Sequence, residues 1–105
     1  MLKRDAKIAQ ELKRRVAAAA ALVDLRVFGS RARGDADAWS DMDVFIEVES
    51  LDRETKERIL DIVWEVSFDH GLVIAPLIFT RDEIENTALR SSDIVKNIVR
   101  EGVGV

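Results

Sequence analysis

At 105 residues, 48% hydrophobic and 34% charged, the chain has material for one domain and one site. A formal net charge of −4 argues against a dedicated nucleic-acid-binding module, which would show a basic surplus. The absence of cysteine removes disulfides, thiolate zinc sites and cysteine nucleophiles, and a single histidine leaves little material for His-based metal sites or Ser-His-Asp triads.

Residues 3 to 22 read as a helix, with Ile8, Leu12, Val16 and Ala19 on one face and alanines 17 to 21 of high helix propensity. Its apolar end, Val16 to Val23, falls far short of the ~20 residues a membrane span needs. The preceding Lys13-Arg14-Arg15 raises the question of a signal peptide. The charged, helically periodic start that runs straight into a strand answers it in the negative. A cytoplasmic protein is expected. Leu25 to Phe28 reads as a short strand stopped by Gly29, and residues 29 to 40 as turn. Met42, Val44, Ile46 and Val48 then alternate with Asp41, Asp43, Phe45, Glu47 and Glu49, the clearest strand of the chain. Its even positions should face a core and its odd positions something polar.

Asp52 fits an N-cap for a second helix with Ile59, Ile62, Val63 and Val66 buried, and Gly71 fits its C-terminal cap. Leu72 to Phe79 reads as an apolar strand in which Pro76 predicts a bulge or an edge position. Thr80 fits an N-cap before a short helix over 82–87. A last helix runs from Ser92 to about Arg100, Gly102 ends it, and Val103 and Val105 could add a short strand. The order α, β, loop, β, α, β, α, α predicts a small mixed α/β sheet with helices on one face. The other face of the Asp41-Asp43 strand is then free for a site.

Asp41 and Asp43, two apart on a strand, leave the same face with Cα atoms about 6.5 Å apart. Carboxylates that close raise each other's pKa unless a cation lies between them, and Mg²⁺ suits one or two carboxylates plus substrate phosphates. Upstream, the Gly29-Ser30 turn can offer backbone N–H groups and a hydroxyl to an anion. Arg31 and Arg33 follow with forked donors for phosphate oxygens. Each piece alone is common in ordinary loops and solvated strand edges. Together they are what nucleotidyl or phosphoryl transfer requires.

Gly29-Ser30, ten intervening residues, then Asp41-Met42-Asp43 resembles the GS-x10-D-x-D pattern of the minimal nucleotidyltransferases of the DNA polymerase β superfamily. The stretches Val27 to Gly34 and Ser40 to Ile46 are similar to the family's core motif, and Asn97-Ile98 with Glu101-Gly102 to its tail. The resemblance implies a truncated polymerase-β palm as a single domain over 1–105. It also implies Mg²⁺ as cofactor and ATP or another nucleoside triphosphate as substrate. The activity implied is transfer of a nucleoside monophosphate to a partner protein by the antitoxin of a HEPN toxin–antitoxin pair. In that frame Asp41 and Asp43 are the catalytic, metal-binding residues, and Gly29, Ser30, Arg31, Arg33 and Ser40 contact the nucleotide. The alternative is a catalytically degenerate fold that neutralises its partner without chemistry. It arises because active relatives carry a third carboxylate on a later strand, where this chain has Ala75; Asp69 and Glu47 are too far to replace it. No membrane association and no strong nucleic-acid signal are expected, and self-association stays open. His70 reads as a helix-end residue. Trp64, beside Leu60, reads as core or the rim of an interface, and Trp39 as packing or as a stack for a base.

Overall fold

The computed structural model describes all 105 residues. In chain order it contains α1 (Lys3–Ala19), β1 (Leu22–Phe28), α2 (Gly29–Arg33), β2 (Met42–Val48), α3 (Arg53–His70), β3 (Ile74–Thr80), α4 (Arg81–Asn86), a 3₁₀ turn (Ala88–Ser91), α5 (Asp93–Glu101) and β4 (Val103–Gly104). The sheet order is β3-β2-β1-β4, with β2 and β3 parallel and the other two pairs antiparallel. This is the small mixed sheet expected from the element order.

The core forms where the periodic stripes meet. Met42, Val44, Ile46 and Val48 of β2 are buried, as are Leu25 and Val27 of β1. Against them lie Ile8, Ala9, Leu12 and Val16 of α1 and Ile59, Val63 and Val66 of α3. Burying a side chain of this size stabilises by about 1.5–3 kcal/mol each. Helices α1 and α3 pack on each other, whereas α5 touches β1 and α2. Its Val95 and Ile98 are buried outside the main cluster.

Capping follows the side chains that favour it. Asp52 accepts from the Thr55 amide at 2.7 Å, Thr80 and Glu83 form a capping box, and Ser92 caps α5. Gly71 closes α3 with φ of 65°.

Several boundaries differ from the sequence reading. The first helix ends at Ala19 rather than residue 22, and β1 begins at Leu22 rather than Leu25. Ala20 is extended, Leu22 pairs with Val48, and the Glu49 amide donates to the Ala21 carbonyl. Sheet pairing here overrides alanine's preference for helix. The segment after Phe28 begins with one turn of helix, closed by Gly34 at φ of 83°. Strand β3 starts at Ile74, two residues later than expected, and it is the edge strand its proline requires.

Candidate active site

The site begins where β1 ends. Phe28 pairs with Asp43 of the antiparallel β2, so the next residue, Gly29, turns over the Asp43 carboxyl. Gly29 has φ of 73°, and a Cβ built there would lie 2.5 Å from Asp43 Oδ2. Two independent costs therefore oppose a side chain: the left-handed backbone and the acid beneath it, which would have to shift. The first amides of α2 lack intrahelical acceptors, as at any helix start. Ser30, in the same turn, is half-buried.

Asp41 is exposed and Asp43 half-buried. Burial lifts the Asp43 carboxyl above its ordinary value, the Asp41 charge lifts it further, and Arg33 pulls it back. Arg33 is a partly exposed cation beside the acids, shared with Asp35 at 3.2 Å and Glu101 at 3.6 Å.

Arg31 is positioned differently from Arg33. Expected at the phosphates, it is only 5% exposed, and its guanidinium is engaged within the protein. Nη1 donates to Asp5 Oδ1 at 2.9 Å, while Nε and Nη2 donate to the Ser40 carbonyl at 3.0 and 2.8 Å. Asp5 itself is 2% exposed on α1. The pair is a buried strut that ties α1 and α2 to the residue before Asp41. Ser40 Oγ is likewise used inside its loop, accepting from the Asp37 amide and donating to Asp37 Oδ1. Trp39, in the same turn, is fully in solvent and does not pack. The sequence reading missed Asp5. Its signal was there: an acid at the head of the stripe Asp5, Ile8, Ala9 and Leu12 must find a partner when the stripe is buried.

Further along the same face, Phe45 separates Asp43 from Glu47 and packs on Phe79 with ring centroids 5.9 Å apart. This residue interrupts the polar face expected of the odd positions. Burial and the charge of Asp24, which pairs with Glu47 across the sheet, lift the Glu47 carboxyl. On the other side, the parallel register sets Ala75 directly beside Asp43. No trio of His, Asp and Glu side chains converges as a metal site. Asp41 and Asp43 alone fit a hard divalent ion that takes its remaining ligands from a triphosphate. His70 contacts Glu11 at 3.1 Å, far along the chain from the acids, in keeping with a structural role.

A glycine turn thus folds over Asp43 of an inner strand, with Asp41 just before that strand. The nucleotidyltransferase domain pattern matches residues 6–103, and the chain belongs to that family. It is similar to a Methanocaldococcus jannaschii protein described provisionally as a protein adenylyltransferase, 37% identical over 68 residues that cover 57% of this chain and 69% of that one. Among solved structures, a provisional minimal nucleotidyltransferase aligns with a TM-score of 0.67 at 21% identity, over 96% of this chain and 91% of that one. A toxin–antitoxin structure with AMP-PNP aligns at 0.62 and 19%, over 98% of this chain and 72% of that one. The shared fold is therefore that of a minimal nucleotidyltransferase. No helix is long and apolar enough to cross a membrane.

Proposed function

We propose that the chain transfers a nucleoside monophosphate from Mg-ATP, or another nucleoside triphosphate, to a hydroxyl on a partner protein, as the antitoxin of a HEPN-type pair. The observation that carries this is the Gly29 turn folded over the Asp43 carboxyl, where a Cβ would lie 2.5 Å from Asp43 Oδ2, with Asp41 two residues before Asp43. The adenylyltransferase description of the archaeal relative and the AMP-PNP in the toxin–antitoxin structure support the substrate and partner.

In this reading the Gly29-Ser30 turn and Arg33 hold the phosphates, and Asp41 and Asp43 would hold Mg²⁺. The ion, when bound, neutralises charge on the phosphates. The acceptor oxygen bonds to the α-phosphorus, the bond to the bridging oxygen breaks, pyrophosphate leaves, and the hydroxyl proton must find a base. Arg31 is left out of phosphate contact, because its donors are engaged with Asp5 and Ser40.

A second reading, neutralisation without chemistry, is favoured by Ala75 beside Asp43, where no carboxylate can take that proton. General-base help of this kind contributes about 10²- to 10⁴-fold. Labelled ATP with Mg²⁺ and the purified toxin partner decides between them. The transfer reading expects label on the partner that is lost in Asp43→Asn and raised at least about tenfold in Ala75→Asp. No label from the parent, with neutralisation intact in Asp43→Asn, would establish the second reading instead.

A further inference from the structure

Both tryptophans of the chain stand on one groove, and neither is packed away. Trp39 is 92% exposed, Trp64 68% and Phe68 75%, with Leu60 and Val73 also in solvent. Trp64 and Phe68 lie against each other with centroids 6.4 Å apart, and all five residues line a groove of about 650 Å³ between α3, the turn at Ala38–Ser40 and the approach to β3. Three aromatic side chains exposed to this degree present about 450 Å² of largely apolar surface. That is the size of the largest apolar patch on a typical monomer, which is often functional. It is more than half of the roughly 800 Å² per partner that a standard protein interface buries. A pocket for a small apolar ligand would enclose its rings, whereas these rings project.

Three features select the occupant. None of the thirteen lining residues is charged; beside them in sequence, Asp37 and Asp41 flank the Ala38–Ser40 turn and Asp61 follows Leu60. These three acids make no ion pair, whereas Glu65, turned towards α1, pairs with Arg15. A second copy of this chain would set like charges against each other, which is destabilising. A strand added along the neighbouring sheet edge would meet Pro76, which has no amide to donate. An apolar groove along a helix suits an amphipathic helix with anchors at i, i+3 or i+4, and i+7.

We propose that this groove is the docking site for an amphipathic helix of a partner protein whose apolar face is edged by lysine or arginine. The helix seats on Trp64 and Phe68 and ends against Trp39, two residues from Asp41. Docking of this kind stands independently of whether nucleotide is transferred.

The test uses the intact chain and two synthetic 18-residue helices with one leucine face, edged by lysine in one and by glutamate in the other. Because the only two tryptophans line the groove, their emission reports binding directly. The lysine-edged helix should shift the emission to the blue, bind at least tenfold more tightly than the glutamate-edged one, and weaken with salt. Phe68→Ser, at an exposed position that leaves the core intact, should weaken it about tenfold. Val99→Ser, exposed on α5, should not. Asp43→Asn should bind as the parent does, which separates docking from the transfer reading. Equal affinity for both helices, no binding, or full binding by Phe68→Ser would overturn the proposal. So would a dimer in sedimentation that Phe68→Ser dissolves, since the second copy would then be the occupant.

Discussion

Gly29 meets two constraints at one atom, which makes it the sharpest residue-scale test of the site. In Gly29→Ala the left-handed backbone costs about 1–3 kcal/mol. Beyond this, the new Cβ must push Asp43 Oδ2 from 2.5 Å to ordinary contact. The variant should melt roughly 5–20 °C lower, and calorimetry should show Mg-nucleotide binding lost even at temperatures where it is folded. Asp43 gives a second test, with the opposite sign for stability. Its carboxyl is raised above the ordinary 3.8 by burial first and Asp41 second. The folded chain therefore holds that proton to higher pH than the unfolded chain does. Stability falls as pH rises through the window between the ordinary and the raised value, and stays lower above it. Asp43→Asn removes that penalty. At neutral pH it should melt at the parent's temperature or higher while losing transfer, and below pH 3.8 the advantage should vanish. A lower melting temperature at neutral pH would mean that Asp43 is held by contacts other than those to Asp41 and Arg33.

Among the elements, the strut from Asp5 through Arg31 to Ser40 joins α1, α2 and the start of β2. Removing one partner of such a buried pair costs about 3–5 kcal/mol, whereas replacing both by apolar groups of similar size can be neutral or stabilising. Asp5→Ala should accordingly unfold at much lower urea. Asp5→Leu with Arg31→Met should recover most of that stability. Nucleotide affinity should not recover with it, because nothing then holds the Ser40 carbonyl beside Asp41. Restored affinity in the double variant would reduce the strut to a purely structural element. This relation could not be read from the chain, since Arg31 and Asp5 are 26 residues apart and an arginine after Gly-Ser reads more simply as a phosphate ligand. What could be read was local. The β2 alternation, the stripes of α1 and α3, and the caps at Asp52, Gly71 and Thr80 are set by neighbours within a turn or two. The end of α1 was misjudged for the same reason, because the extended conformation of Ala20 is imposed from Val48 and Glu49, far along the chain.

For the whole molecule, the distance between reading and structure was greatest on the surface. The Gly29, Asp41 and Asp43 grouping follows from residues at adjoining ends of β1 and β2, but Trp39, Trp64 and Phe68 come together only when α3 lies beside the loop before β2. Fold and site meet in the stability of this small domain, where 1 kcal/mol moves the melting temperature by about 4–8 °C. A ligand that binds only the folded state at a hundred times its dissociation constant adds about 2.7 kcal/mol. Mg-ATP at that excess should therefore raise the melting temperature by about 10–20 °C. Because each acid leaves the other's charge uncompensated, neither Mg²⁺ alone nor ATP with EDTA should do as much as the two together. Asp41→Asn with Asp43→Asn should abolish the Mg²⁺-dependent part and keep whatever the phosphates gain from Gly29, Ser30 and Arg33. An equal shift with and without Mg²⁺ would assign nucleotide binding to the turn alone, and would leave the two acids without a part in it.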